Sequence, residues 1–207
     1  MTTVAIGAGL RLTKRSVGPM DNNAYLLTDG TDALLIDAAS EARVLLELVA
    51  GLHLVGVVTT HQHADHLQAL AAVVAATGAP AYAGTPDAGP VEQATGVACR
   101  RVWDGDILTV GGVELAVIGL VGHTPGSITL AHRPSDAPDR LFTGDALFPG
   151  GVGKTRSGVD FDSLLGEVTS KLFEQFVDDT IVHPGHGADT TLGVERPHLD
   201  EWRARRW

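Results

Sequence analysis

Short apolar runs separated by glycine- and proline-rich breaks fill most of the 207-residue chain. Seven runs have the length and composition of strands: NAYLLT (23–28), ALLID (33–37), VGVVTT (55–60), VELAVIG (113–119), SITLAH (127–132), RLFTGD (140–145) and DTIVHPG (179–185). Three longer segments place apolar residues at helical spacing instead. SEARVLLELVAGL (40–52) is expected to open on Ser40 as its cap and to close near Gly51. HLQALAAVVAAT (66–77) puts Leu67, Leu70, Val73 and Val74 on one face and stops at Gly78. DSLLGEVTSKLFEQF (162–176) repeats Leu164, Leu165, Val168, Leu172 and Phe176. These stripes are core faces. Many strands with few amphipathic helices predict an α+β fold, two sheets covered on their outer sides by helices. No repeat or low-complexity linker divides the chain, so one domain over residues 1–207 is expected.

Composition narrows the function classes. The chain is 44% hydrophobic and carries a formal net charge of −10, and no long basic run offers a face for phosphates, so a nucleic-acid partner is not expected. Arg203, Arg205 and Arg206 at the end read as a solvated tail. The single cysteine, Cys99, excludes an intrachain disulfide and reads as a small apolar residue. No signal-peptide or membrane-spanning pattern is present, so no membrane partner and a cytoplasmic location are expected.

The chemistry is concentrated in THQHADH (60–66), which holds three of the nine histidines, His61, His63 and His66, around Asp65. Extended chain through His63 would put His61 and His63 on one side, and a helical turn would bring Asp65 and His66 back toward them. Any one of these residues alone reads as a hydrogen-bonded surface side chain or a helix cap. Four imidazole and carboxylate donors within six positions read as ligands for zinc, iron or manganese. One such cluster cannot complete two coordination shells, and three more candidates each follow an apolar strand. His123 lies in GHTPGS (122–127), Asp145 in FTGDALF (142–148), and His186 between two glycines in HPGHGADTT (183–191). Glycine beside a ligand lets the backbone approach closely. The other histidines carry no such pattern: His53 is placed at a helix end, where a cation suits the dipole; His132 and His198 have no motif; and His183 is kept out of the ligand set.

In this order, THQHADH, GHTPGS, TGDALF and HPGHG resemble the metal-binding motifs of the metallo-β-lactamase superfamily, and most closely its short, glyoxalase II-like hydrolases. The resemblance runs from GPMDNNAYLL (18–27) to TTLGVER (190–196). It implies an αββα sandwich of two mixed sheets, with metals at one edge. It also implies two divalent ions, zinc being expected and iron or manganese compatible. One ion would be held by His61, His63 and His123, the other by Asp65, His66 and His186, with Asp145 as the bridge. Asp65 and Asp145 are then the candidate catalytic carboxylates, although Asp65 as a ligand can act as a base only secondarily. The implied reaction is attack of a metal-bridging hydroxide on a small-molecule thioester, such as an S-(hydroxyacyl) thiol, whose thiolate leaves without strong acid help.

Lys154 and Arg156 in FPGGVGKTRSG (148–158) match the position of the basic residue that meets the thiol's carboxylate in glyoxalase II-like enzymes. Full-length glyoxalase II continues into a helical domain that helps bind glutathione, whereas here about twenty residues follow His186. That favours the short relatives and puts glutathione in doubt. An iron-dependent persulfide dioxygenase, using His61, His123 and Asp145 as a two-histidine, one-carboxylate face, is the principal rival. A lactonase on the same fold is a second one. The oligomeric state is open.

Overall fold

Strand β3 (Asn22–Thr28) is buried along its whole length, because both of its faces are covered in a four-layered structure. The computed structural model describes residues 3–206. The first sheet runs in chain order: β1 (Thr3–Gly7), β2 (Leu10–Val17), β3, β4 (Asp32–Ile36), β5 (His53–Thr59), β6 (Ala81–Gly84) and β7 (Cys99–Val102). It is antiparallel from β1 to β4 and parallel from β4 to β7. In the second sheet β8 (Ile107–Val110), β9 (Val113–Leu120), β10 (Ser127–His132) and β11 (Arg140–Gly144) form an antiparallel meander. A two-stranded ribbon, β12 (Leu147–Phe148) and β13 (Gly151–Val152), follows. The chain then returns as β14 (Ile181–Pro184), parallel to β11, with β15 (Thr190–Thr191) at the edge.

Period-two alternation sorts the side chains into layers. In β4, Leu34 and Ile36 enter the core between the sheets, while Ala33 and Leu35 face the helical layer. Tyr25 and Leu27 of β3 meet Leu115, Val117, Ile128, Leu130 and Phe142 across the sandwich. The first sheet's outer face is covered by α1 (Ala42–Leu48), α2 (Leu70–Thr77) and α3 (Thr85–Thr95). The second sheet's outer face packs on α4 (Gly158–Val168) and, beyond the short α5 (Leu192–Glu195), on Trp202 of α6 (Leu199–Arg205). The expected architecture, two mixed sheets flanked by helices, is the one found. No helix among the described residues is long and apolar enough to cross a membrane.

Several local expectations are corrected. Ser40 does not cap α1: its hydroxyl turns to Gln68, and Glu41 takes the cap position in a left-handed conformation. His53 opens β5 rather than ending a helix, because the parallel register sets it opposite Asp32, to which its Nδ1 lies 2.8 Å away. The segment around Asp65 forms a 3₁₀ turn over Ala64–His66 and α2 begins only at Leu70, although it does end at Gly78 with positive φ. The 162–176 helix starts earlier, where Ser157 accepts from the backbone N–H of Asp160, and it continues beyond α4 as a π-turn over Thr169–Phe173. The terminal arginines are solvated as expected, but they belong to a packed helix end rather than a loose tail. Trp202 anchors their helix, Arg205 donates to the carbonyl of Gly150, and Arg206 pairs with Asp162.

Candidate metal centre

All the predicted ligands sit just beyond strand ends along one edge of the sandwich. His61 and His63 follow β5, His123 follows β9, Asp145 follows β11 and His186 follows β14. Parallel pairing aligns the C-terminal ends of β4 with β5 and of β11 with β14, which is why residues distant in sequence share one edge. Backbone bonds close that edge: Ile128 N–H donates to Thr60 O (2.8 Å), Asn23 N–H to Gly185 O (2.7 Å) and Gly185 N–H to Gly144 O (2.7 Å). Gly185 is required here, because any side chain on it would overlap Asp145 Oδ1.

The seven candidate side chains form three interlocking groups, His61/His63/His123, His61/His66/Asp145 and Asp65/His66/His186, whose ligand atoms within each group lie within 4.8 Å of one another. Asp145 lies between the outer two. Its Oδ2 is 3.9 Å from His61 Nε2, 3.7 Å from His123 Nε2 and 3.4 Å from His186 Nε2, and its Oδ1 is 3.5 Å from His66 Nε2. On the far side Asp65 Oδ2 is 3.3 Å from His186 Nε2 and 3.4 Å from His66 Nε2, and it accepts from Asn22 Nδ2 at 2.8 Å.

Hydrogen bonds at the rear of the rings set which nitrogen faces inward. His123 Nδ1 donates to the carbonyl of Lys154 (2.7 Å), and His186 Nδ1 to that of Met20 (2.8 Å). His66 Nδ1 is 2.9 Å from Asp37 Oδ2. Thr60 donates its hydroxyl to Asp37 (2.8 Å), which leaves its oxygen to accept from His61 Nδ1 at 3.0 Å. Four imidazoles therefore present Nε2 to a common centre. The buried Nε2 atoms of His61 and His123 and the buried Oδ1 of Asp145 find no hydrogen-bond partner among the described residues. Unpaired buried polar atoms are costly, and inward-facing nitrogen lone pairs beside a carboxylate are the donor set that a divalent cation satisfies. The residues present fit such ions.

Electrostatics divides the rings. Burial, aided by neighbouring imidazoles, holds His61 well below the usual histidine range and lowers His123 as well. His63 is also lowered by burial. His66 is different: burial opposes its charge, but the carboxylates of Asp37 and Asp145 win and raise it to about 10. A hydrogen bond to Asp145 raises His186. Burial would raise Asp145, yet His186, His66 and His61 hold its carboxyl far below the ordinary range.

Lys154 and Arg156 are exposed, and their side chains make no hydrogen bond or ion pair among the described residues. Lys154 lines a cavity of about 480 Å³ with Phe148, Val152 and Arg205, and the Phe148 ring lies 6.4 Å from that of His186. Arg156 lines a smaller cleft of about 210 Å³ with His123 and Thr124. His183, set aside above, is buried in a separate network: its Nδ1 donates to Asp189 (3.0 Å), and its ring stacks on Phe142. Sequence reasoning missed Asp37, Asn22 and Asp87. Asp37 closes the ALLID run and has positive φ (57°), an unusual conformation for a non-glycine residue and the only local hint of a special role.

Residues 17–186 match the family model described as "Metallo-beta-lactamase superfamily". The chain is 38% identical over 157 residues to a hydroxyacylglutathione hydrolase of Polaromonas sp., a match covering 75% of this chain and 57% of that protein. It is 29% identical over 194 residues to hydroxyacylglutathione hydrolase GloC of Haemophilus influenzae, covering 84% of this chain and 89% of that one. It thus spans little more than half of the Polaromonas relative but most of GloC. Among solved structures it resembles the BLEG-1 B3 metallo-β-lactamase (TM-score 0.78, 28% identity, 91% of this chain and 97% of that one). It also resembles ETHE1 from Myxococcus xanthus (TM-score 0.76, 30% identity, 91% and 82%) and TTHA1623 in a di-iron-bound form (TM-score 0.71, 32% identity, 89% and 96%). With the sandwich and the clustered histidines and aspartates in place, the chain belongs to the metallo-β-lactamase superfamily.

Proposed function

We propose that the protein is a metal-dependent hydrolase that cleaves the thioester of an S-(hydroxyacyl) low-molecular-weight thiol. The observation that carries this reading is the place of Asp145, whose carboxylate faces both His61/His123 and His66/His186. That geometry suits a bridge between two cations, the first on His61, His63 and His123 and the second on Asp65, His66 and His186. When bound there, a pair of divalent cations would supply a water ionised near neutral pH and polarisation of a carbonyl oxygen. The chain's own residues do the rest. Rear hydrogen bonds fix four of the five imidazoles, Asn22 orients Asp65, and backbone bonds close the sheet edge that carries the donors before substrate arrives. Lys154 and Arg156, unpaired at the rim, attract a carboxylate on the thiol portion, and a thiolate leaving group needs no general acid from the chain. Similarity to two hydroxyacylglutathione hydrolases supports the reaction class.

The 30% identity to ETHE1 supports a second reading, oxidation of a persulfide at one iron on His61, His123 and Asp145. The test is metal analysis of protein purified without added metal, followed by S-lactoyl-thiol, lactone and persulfide substrates. Close to two ions per chain with thioester turnover is the expected result. One iron with oxygen consumption on a persulfide would establish the second reading instead.

A further inference from the structure

Asp87 is fully buried in the first turn of α3, remote in sequence from every metal-centre motif. A single oxygen of its carboxylate, Oδ2, accepts two hydrogen bonds. One comes from the backbone N–H of Gln62 (2.9 Å), the residue between His61 and His63. The other comes from the hydroxyl of Thr124 (2.6 Å), the residue after His123. Thr124 is held in turn by Ser127, 2.6 Å away. The packing leaves no slack: a methyl on Gly126 would overlap the backbone nitrogen of Asp87, and one on Gly84 would overlap the carbonyl of Gly126. The loops carrying His61, His63 and His123 therefore meet on one atom of a third element. On the other side of the centre, Asp37 reaches His66 by touching the ring itself. Asp87 makes no hydrogen bond to a candidate ligand among the described residues.

We propose that Asp87 is a positioning residue that sets the spacing of His61, His63 and His123, and so governs how tightly that group alone holds a divalent cation. This rests on the metal reading above. Burying a carboxylate is costly, and burial does raise this carboxyl above its ordinary value. Helix packing alone would be served equally well by an apolar residue at this place. An oxygen acceptor is needed because one atom must serve two donors on separate loops.

The test is titration of the metal-free chain with cobalt(II), following the visible absorption of each group, with His63→Ala and Asp65→Ala identifying the two sets of bands. Asp87→Ala is expected to weaken cobalt at the His61/His63/His123 group about 10- to 100-fold and to leave the other group within about threefold. Asp87→Asn, which keeps an oxygen acceptor, should recover most of the loss. Thr124→Val removes one of the two bonds at nearly constant volume and should weaken the same group in the same direction. It decides the matter if Asp87→Ala does not fold. Wild-type cobalt affinity at that group in folded Asp87→Ala or Thr124→Val would overturn the proposal, as would equal weakening of both groups. A wild-type chain that binds no cobalt would overturn the functional reading itself.

Discussion

Asp37 Oδ2 lies 2.9 Å from His66 Nδ1, and the same oxygen accepts the hydroxyl of Thr60, which in turn supports His61. One buried carboxylate thus orients a ring on each side of the centre. Asp37→Ala removes both supports and leaves Thr60 and His66 with unpaired buried donors. Affinity for zinc should fall about 10- to 100-fold at the group containing His66, with a smaller fall at the group containing His61. Stability should fall by about 1–3 kcal/mol. Competition with a chromophoric chelator and denaturant unfolding of the metal-free chain measure the two effects separately. Unchanged zinc affinity would show that the rings hold their orientation without Asp37.

Asp145 is the carboxylate that faces the donors on both sides. Asp145→Ala should therefore strip both ions rather than one, and thioester turnover should fall by at least about a hundredfold. Metal content after dialysis gives the answer directly. A variant that retains two ions per chain would remove Asp145 from the bridge.

The metal-free chain should show a distinct pH response. His66 is raised above the ordinary 6.5 to about 10, so its charged form stabilises the folded metal-free protein fully below pH 6.5. That contribution declines as the pH rises toward and through about 10, and the Tm of the metal-free protein should fall over that range. Cation binding reverses the preference, since a ligand imidazole must give up its Nε2 proton. Between pH 7 and 9, zinc affinity at the Asp65/His66/His186 group should rise at least about tenfold per pH unit, with a proton released from His66 and a further fraction from His186, which is also raised. The His61/His63/His123 rings are already lowered by burial and should release almost none. Calorimetry in buffers of differing ionisation enthalpy counts these protons.

The candidate ligands were legible because coordination accepts few residue types and because each one directly follows an apolar strand. Their supports were not. Asp37 reads locally as the last residue of the ALLID strand run and Asp87 lies in a segment with no expected element, and only tertiary approach brings them to Thr60, Gln62 and Thr124. The fold shows the same divide. The strands around VGVVTT and SITLAH were visible because they are short runs of apolar and β-branched residues without charges. The β1–β2 hairpin was not: LRLTKRSV carries charges at exposed Arg11 and half-buried Lys14 and Arg15, and its pairing with β3 makes it a strand. The segment forming α3, TPDAGPVEQAT, has two prolines and a glycine, which argue against a helix locally. Burial of Ala88 and Val91 against the first sheet overrides that preference.

Lys154 and Arg156 give the substrate reading its own test. Both are exposed and free of ion pairs among the described residues, so replacing them removes no internal partner. Lys154→Ala and Arg156→Ala should each raise KM severalfold for a thioester whose thiol bears a carboxylate. They should leave kcat nearly unchanged, since the lost attraction is uniform through the reaction. The effect should vanish with an uncharged thiol. A rise in KM that is the same for charged and uncharged thioesters would detach these residues from carboxylate recognition.

Gly185 tests the geometry without touching a ligand. A methyl there would overlap Asp145 Oδ1 and come within 2.8 Å of His66 Cε1, and the backbone φ is not in the left-handed region, so the effect is one of space alone. Gly185→Ala must push the Asp145 carboxylate off its position between the two groups. A displacement of about 1 Å in a reacting centre costs on the order of a hundredfold in rate. Turnover should fall by about that much and metal content should drop, while far-UV circular dichroism stays native. Gly187→Ala is the contrast. Gly187 flanks His186 on its other side, but a methyl there meets no neighbouring atom and only a positive φ (68°) resists it. Its cost should appear as about 1 kcal/mol of stability, with both ions retained. If Gly185→Ala keeps full metal and full turnover, the carboxylate has room to move, and the tight placement of Asp145 is not what sustains the centre.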